Sequence, residues 1–143
     1  MDIFTDTSVL LRFVSPKDPR YGVVCTTVAR LMQAGHRLIY TPQAARETWS
    51  VLTRPSANNG FGLSPELAEI PMRDIAAVFT FFDDKPGIYE IWTQLVRKSG
   101  VSGKQVHDSN HVAAMLAHGI EEILTLDERD FRRYAGIRIR KPE

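Results

Sequence analysis

Short apolar, β-prone runs alternate along this chain with longer segments whose apolar residues recur at helical spacing. A connection between parallel strands has to be long enough for a helix, so this alternation is typical of a parallel sheet covered by helices. The fold class predicted is α/β, with three layers (α/β/α) and a mainly parallel central sheet of four to five short strands. The predicted strands are residues 3–5, 38–40, 80–82, 123–126 and 137–139.

Residues that commonly begin and end helices mark most of the segments between these strands. Thr41-Pro42 and Ser64-Pro65 each place a capping hydroxyl directly before a proline that suits the first helical position. Glycines follow several of the predicted ends, as expected for a left-handed C-terminal residue. The predicted helices are residues 9–14, 21–34, 42–52, 64–79, 87–98, 108–118 and 127–133.

Composition limits the class of protein but does not indicate an activity. Eighteen Lys and Arg residues against seventeen Asp and Glu residues give a net charge of +1, so no global field favours nucleic acid or membranes. The single cysteine, Cys25, excludes an internal disulfide and a cysteine zinc cluster. No apolar run approaches the roughly 18 residues of a membrane helix, and the acidic N-terminus does not resemble a signal peptide. We therefore expect one cytoplasmic domain, residues 1–143, with no membrane segment.

Acidic residues occur where the predicted strands lead into helices. Asp6 directly follows the first strand and Asp127 directly follows the fourth, while Glu47 and Asp108 belong to helices that follow such junctions. Asp130 lies one turn after Asp127. Ligands of parallel sheets bind beyond the carboxyl ends of the strands, so we expect these acids to gather at one edge.

Each acid also has an explanation without function. Asp6, Asp108 and Asp127 begin predicted helices, where aspartate commonly caps backbone N–H groups, and Glu47 suits a solvated helix face. Neither explanation predicts that all four lie together. Clustered carboxylates repel one another unless a cation neutralises them, and oxygen ligands suit Mg²⁺ or Mn²⁺.

Four segments in order carry a resemblance to a known family. They are residues 4–8, Glu47 ahead of 51–55, Asp108 ahead of 112–114, and residues 125–131. In these segments the chain resembles the PIN-domain ribonucleases, and among them the toxin-type, VapC-like branch of bacterial toxin–antitoxin pairs. The resemblance runs nearly end to end and includes a closing strand at 136–139.

The resemblance implies a Mg²⁺- or Mn²⁺-dependent endoribonuclease that cleaves single-stranded or loop RNA, the toxin of a type II toxin–antitoxin system. It implies a cognate antitoxin and a homodimer, for which the first helix (Val9, Leu10 and Phe13) or residues 71–82 are candidate interfaces. Its acidic catalytic and metal-binding set corresponds here to Asp6, Glu47, Asp108 and Asp127. Asp6 and Asp108 are expected to contact the metal directly, and the other two directly or through water.

Further residues complete the predicted site. By the same resemblance Asp130 is an outer acid or a ligand of a second metal, and Ser8 and Thr7 are hydroxyls that orient Asp6 or donate a hydrogen bond to a phosphate oxygen. Cations close in sequence to the acids are candidates for RNA phosphate contacts, namely Arg12, Arg46, Arg54, Lys104 and Arg129. His107 and His111 have the four-residue spacing of many zinc sites, but no third zinc ligand is evident. Several aromatic residues, including Trp92 and Phe81, are predicted to pack in the core or an interface rather than against bases.

Two other functions remain open at this level. One is a non-catalytic PIN-like module that binds RNA or protein, which a missing acid would favour. The other is a metal-dependent phosphatase or phosphotransfer receiver domain. A receiver domain needs adjacent acids after the first strand, whereas this strand ends in the single Asp6.

Overall fold

A computed structural model describes residues 1–143 and contains five strands and six α-helices. The strands are β1 (Asp2–Thr5), β2 (Arg37–Tyr40), β3 (Thr80–Phe81), β4 (Glu122–Leu124) and β5 (Arg138–Arg140). The α-helices are α1 (Thr7–Phe13), α2 (Tyr21–Gln33), α3 (Pro42–Thr53), α4 (Pro65–Val78), α5 (Ile88–Ser99) and α6 (Gln105–Ala117). Two short 3₁₀ turns span Ser56–Asn58 and Glu128–Asp130.

The strands form one sheet in the order β3-β2-β1-β4-β5, and every neighbouring pair is parallel. The predicted α/β fold class, with its parallel central sheet, is therefore confirmed. This order differs from the 2-1-3-4-5 order of receiver-type domains. The chain runs outward from β1 in both directions, so the crevice between β1 and β4 is the point where ligands of such sheets bind.

Alternate residues of each strand point to opposite faces of the sheet, and both faces are covered. Ile3, Leu38 and Leu124 belong to a core that contains buried residues of α1, α2, α3 and α4. Phe4 and Ile39 belong to a second core, built mainly with α6 and with Leu95 of α5 packed against it. The predicted three-layer arrangement follows from these two cores.

The structure corrects four local predictions. Helix α6 begins at Gln105, three residues before the predicted start. The sequence did not indicate this start, because the Lys104 side chain at the N-cap makes no capping hydrogen bond. Strand β4 ends at Leu124, two residues early, and residues 127–133 contain only a 3₁₀ turn. Val9 and Leu10 are completely buried in the core, so the prediction that they form an interface is wrong.

The register of the strands determines where the predicted acids lie at the edge of the sheet. Thr5 at the end of β1 pairs with Leu124 at the end of β4, so Asp6 and the 125–127 segment leave the sheet side by side. Helix α3 starts directly after β2 and carries Glu47 on its second turn. No helix of this structure is both long and apolar enough to span a membrane.

Candidate active site

Asp6 is buried at the N-cap position of α1, but its side chain does not cap the helix. Its Oδ2 instead accepts hydrogen bonds from Ser8 Oγ (2.8 Å) and Thr125 Oγ1 (2.7 Å). Its Oδ1 accepts no hydrogen bond from the protein. Simple capping therefore does not explain Asp6: two hydroxyls hold one carboxylate oxygen and leave the other available to a ligand.

The same two hydroxyls connect α1 to the segment after β4. Thr125 Oγ1 accepts a hydrogen bond from the Asp127 backbone N–H at 2.9 Å, and Ser8 Oγ accepts one from the Leu126 N–H at 3.1 Å. This network fixes the backbone of Asp127 relative to Asp6. The Thr125 backbone N–H still donates to the Arg140 carbonyl of β5 at 3.1 Å, so both the backbone and the side chain of Thr125 are held in place.

Three side chains donate hydrogen bonds to the carboxylate of Glu47. Thr7 Oγ1 and His111 Nε2 both lie 2.8 Å from Oε1, and Gln43 Nε2 lies 3.1 Å from Oε2. Burial alone would raise the pKa of Glu47, but these hydrogen bonds and the charge of His111 lower it to about 2. The interpretation of Glu47 as a solvated-face residue is therefore wrong.

His111 is buried, with 1% of its surface exposed, and contacts Glu47 from α6. Burial favours the neutral imidazole, but the hydrogen bond to Glu47 and the charges of Glu47, Asp6 and Asp108 raise its pKa above the ordinary value. Its Nε2–H donates to Glu47, and its Nδ1 is buried without a hydrogen-bond partner. His107, by contrast, is exposed, so the two histidines face different surroundings.

The remaining acids have no hydrogen-bond or ion-pair partner for their carboxylates. Neither Asp108 nor Asp127 caps a helix, so the capping explanation is wrong for both. Burial, together with the negative charges of Asp130, Asp6 and Glu47, outweighs the opposing charge of His111 and raises the pKa of Asp108 to about 6. Partial desolvation and the charges of Asp6 and Asp130 raise the pKa of Asp127. These acids are close enough to repel one another.

The donor set fits a divalent cation with a large share of water ligands. No three His, Cys, Asp or Glu side chains converge closely enough to hold one ion by themselves. Mg²⁺ typically keeps several waters and binds through one or two carboxylates. The free Oδ1 of Asp6 and the unpartnered carboxylate of Asp108 are suitable direct ligands, and the all-oxygen set suits Mg²⁺ or Mn²⁺.

Residues 3–137 match the PIN domain family, which is most of the chain. The chain belongs to the PIN-domain family. It is 30% identical over 140 residues to Ribonuclease VapC48 of Mycobacterium tuberculosis, an alignment that covers 96% of this chain and 94% of that protein.

Two solved structures share this PIN-domain fold. The structure of VapBC2 from Rickettsia felis, bound to a DNA fragment from its promoter, matches with a TM-score of 0.76 over 100% of both chains at 10% identity. The structure of VapC20 from Mycobacterium tuberculosis, a sarcin-ricin loop cleaving toxin, matches with a TM-score of 0.60 at 21% identity. It covers 85% of this chain and 86% of that one. At these identities the likeness concerns the fold.

Three of the five predicted cations border the acidic site of this PIN domain. Arg46, Arg54 and Lys104 line a cavity of about 670 Å³ together with Glu47 and Asp108, and no hydrophobic residue contributes to its lining. We call these three side chains, which lie next to the acids, the cationic wall, and the cavity that they line the cationic cavity.

The other two predicted cations are placed differently. Arg12 forms an ion pair with Asp18 at 3.5 Å, and its charge opposes the rise in the pKa of Asp127. Arg129 is exposed and does not line this cavity.

The sequence did not predict the contacts of three polar residues with the acids, namely Gln43, Thr125 and His111, the last of which was considered only as half of a zinc-binding pair. Two of them stand at helical spacings that place them beside predicted acids: Gln43 four residues before Glu47, and His111 three residues after Asp108. This spacing was the available signal. Thr125 contacts Asp6 from 119 positions away, and no local pattern reports such a contact.

Proposed function

We propose that this chain is a Mg²⁺- or Mn²⁺-dependent endoribonuclease that cleaves single-stranded or loop RNA and acts as the toxin of a type II toxin–antitoxin pair. The observation that carries the proposal is the group of unpartnered or outward-facing carboxylates at the β1–β4 crevice, bordered by a cationic wall. The relative named a ribonuclease supports the reaction, and the sarcin-ricin loop cleaving toxin among the structures of the same fold supports the biological role.

The proposed mechanism assigns a role to each acid. When bound, a divalent cation supplies Lewis-acid chemistry that polarises the scissile phosphodiester and activates a water. Asp6 and Asp108 hold this ion directly, while Glu47 and Asp127 reach it directly or through water. Asp130 is the outer acid of the site.

The other residues orient these acids and the RNA. Ser8 and Thr125 hold Asp6 Oδ2, which leaves Oδ1 free for the ion. Thr7 and His111 fix Glu47 and keep it ionised. Arg46, Arg54 and Lys104 bind RNA phosphates next to the scissile bond, and Arg12 and Arg129 extend this surface on the Asp127 side.

The proposal includes a protein partner as well as RNA. Phe61, Leu67 and Ile70 are 41%, 53% and 54% exposed, and these apolar side chains on and before α4 offer a surface to an antitoxin or a second protomer. We propose that residues 1–143 work as one domain in the cytoplasm, with a homodimer as the assembled form. Co-expression with the protein encoded next to it should yield a stable complex in which cleavage is suppressed.

The alternative of a non-catalytic RNA- or protein-binding module has no observation in its favour. A missing acid would favour such a module, and here all four acids of the predicted set are present. The sheet order also gives no support to a receiver-type phosphotransfer domain.

An RNA cleavage assay tests the proposal. The purified full chain should cleave labelled RNA with Mg²⁺ or Mn²⁺, and cleavage should stop when the ions are chelated. Asp6→Asn should abolish cleavage without loss of stability, because the amide oxygen still accepts the bonds from Ser8 and Thr125. Asp74→Asn, an exposed change on α4, is the matched control and should retain full activity. Cleavage at the normal rate by Asp6→Asn would contradict the proposed function.

A further inference from the structure

A second cavity, of about 490 Å³, adjoins the acidic site between α3, α5 and α6. Gln43, Arg46 and His107 line both this cavity and the cationic one, so the two cavities adjoin. The second cavity differs in its lining, because α5 contributes Tyr89 and Trp92. A chain bound along the cationic wall can therefore extend into a pocket that contains aromatic rings.

The side chain of Gln43 forms the partition between the two cavities. Its Nε2 lies 3.1 Å from Glu47 Oε2 and 2.9 Å from the His107 carbonyl oxygen, and its Oε1 accepts a hydrogen bond from Asn110 Nδ2 at 2.7 Å. These contacts use both ends of the amide, so Gln43 is a fixed wall. The second cavity therefore starts one side chain away from a predicted catalytic carboxylate.

The aromatic rings of this cavity are held in place, yet they remain accessible. Trp92 is half-buried, and its indole N–H donates a hydrogen bond of 2.7 Å to the Val106 carbonyl. Tyr89 stacks on Trp92 one turn earlier, with ring centroids 5.9 Å apart and planes inclined by 30°. Tyr89 is nevertheless 70% exposed. No protein group covers most of this ring.

The charges around the cavity favour a nucleic-acid ligand. Arg46 contributes a cation that makes no ion pair, and the single acidic lining residue is Asp84. RNA is commonly recognised through unpaired bases that stack on aromatic side chains while cations hold the adjoining phosphates. A rigid aromatic surface beside a cation meets both needs.

We propose that this cavity binds one unpaired nucleobase of the RNA substrate, stacked on Tyr89 and Trp92, while Arg46 holds the adjoining phosphate. The inference rests on the proposed ribonuclease function and names a subsite for it. Trp92 packs against buried residues of α5 and α6, as the sequence predicts, and the proposal gives its exposed part a second role. A base held here places the neighbouring part of the RNA chain against Glu47 and Asp108.

A binding experiment with single abasic positions tests the subsite. The parent protein is the full chain with Asp6→Asn, so that the RNA stays intact. The probe is a labelled single-stranded RNA of about twelve nucleotides, within the site sizes usual for single-strand binding, with one abasic ribose at each position in turn. Dissociation constants are measured by fluorescence anisotropy for the parent and for the same chain with Tyr89→Ala.

We expect one abasic position to weaken binding to the parent about tenfold, the scale of one stacked base. Tyr89→Ala should weaken binding of the intact RNA by a similar factor and should remove the sensitivity to that position. Tyr89→Phe, which keeps the ring, and Phe81→Ala, an exposed ring outside both cavities, should bind within about twofold of the parent.

Three results would overturn the subsite. Tyr89→Ala could bind intact RNA as tightly as the parent, or it could retain the parent's full sensitivity to the abasic position. It could also change the oligomeric state on gel filtration, which would assign Tyr89 to a protein interface. Failure of the proposed function gives a different pattern, because the wild-type chain then does not cleave RNA. If only the subsite is wrong, the wild-type chain still binds and cleaves RNA, and Tyr89→Ala does so equally well.

Discussion

His111 Nε2 lies 2.8 Å from Glu47 Oε1, so a buried histidine of α6 holds a carboxylate of α3 at the acidic edge of the sheet. The two residues are 64 positions apart in the sequence. Thr7 of α1 donates to the same oxygen. Three helices therefore fix the position of one carboxylate, and its charge persists to a pH well below the ordinary range of glutamate.

Replacing His111 should destabilise the protein because the carboxylate of Glu47 loses a buried hydrogen-bond donor. We expect His111→Leu to lower the free energy of unfolding by about 1–3 kcal/mol, the usual cost of removing one partner of a charged hydrogen bond. The pKa of Glu47 should rise from about 2 toward its usual range. Urea unfolding at neutral pH measures the first effect, and His107→Leu on the exposed side of α6 is the matched control. Equal stability of wild type and His111→Leu would show that the contact contributes nothing.

Asp108 should make the metal-free protein less stable as the pH rises. Its carboxyl group has a pKa of about 6 in the folded protein, against an ordinary value of 3.8. The folded state therefore binds this proton more tightly than the unfolded state. The resulting loss of stability is absent below the ordinary pKa, grows as the pH rises from about 4 to 6, and is complete above that range.

Asp108→Asn removes this effect. In chelator, we expect the variant to exceed wild type by about 1–2 kcal/mol in unfolding free energy near pH 8, and to match it near pH 4. Mn²⁺ should stabilise wild type more than the variant at neutral pH. Unfolding curves across this pH range provide the test, and parallel pH profiles for the two proteins would contradict it.

Thr125 should matter more for cleavage than for folding. Thr125→Val keeps the shape of the side chain but removes the hydroxyl that donates to Asp6 and accepts from the Asp127 N–H. We expect a loss of about 1–2 kcal/mol of stability, because buried groups lose their partners, and a higher metal concentration for half-maximal cleavage. Thr27→Val, a buried threonine outside the site, controls for the substitution itself. An unchanged metal requirement in Thr125→Val would contradict this role.

The cationic wall should set the salt dependence of RNA binding. Arg46→Ala and Lys104→Ala should each weaken binding for all sequences and reduce the slope of log affinity against log salt by about 0.7, as expected for one phosphate contact on a single strand. Arg73→Ala is the matched control, because Arg73 pairs with Glu69 on exposed α4 at 3.2 Å. Anisotropy titrations at several salt concentrations measure the slopes, and a slope unchanged in both variants would exclude these phosphate contacts.

Much of the fold was predictable because local sequence and tertiary structure agree. Thr41 and Ser64 accept capping hydrogen bonds directly before the helices that they were expected to begin. The start of α6 was missed because Lys104 gives no such signal. The positions of Asp6 and Asp127 followed from the rule for the ends of parallel strands, which needs only the order of elements.

The partners of those acids were not predictable in the same way. A histidine among apolar helix residues is compatible with simple packing, and only the approach of α3 to α6 gives His111 its carboxylate. Trp92 packs as its sequence pattern predicts, and only the structure shows that it also lines a cavity. The sequence therefore predicted the acidic groups of the site, and the contacts that orient them depend on how distant helices pack.

Mn²⁺ binding and RNA cleavage, measured in the same solutions, test whether one ion held by Asp6 supports cleavage. We expect the Mn²⁺ concentration for half-saturation, followed by calorimetry, to equal the concentration for half-maximal cleavage, and Asp6→Asn to abolish both while the protein remains folded. Cleavage by wild type in the presence of a chelator, or full Mn²⁺ binding by Asp6→Asn, would contradict it.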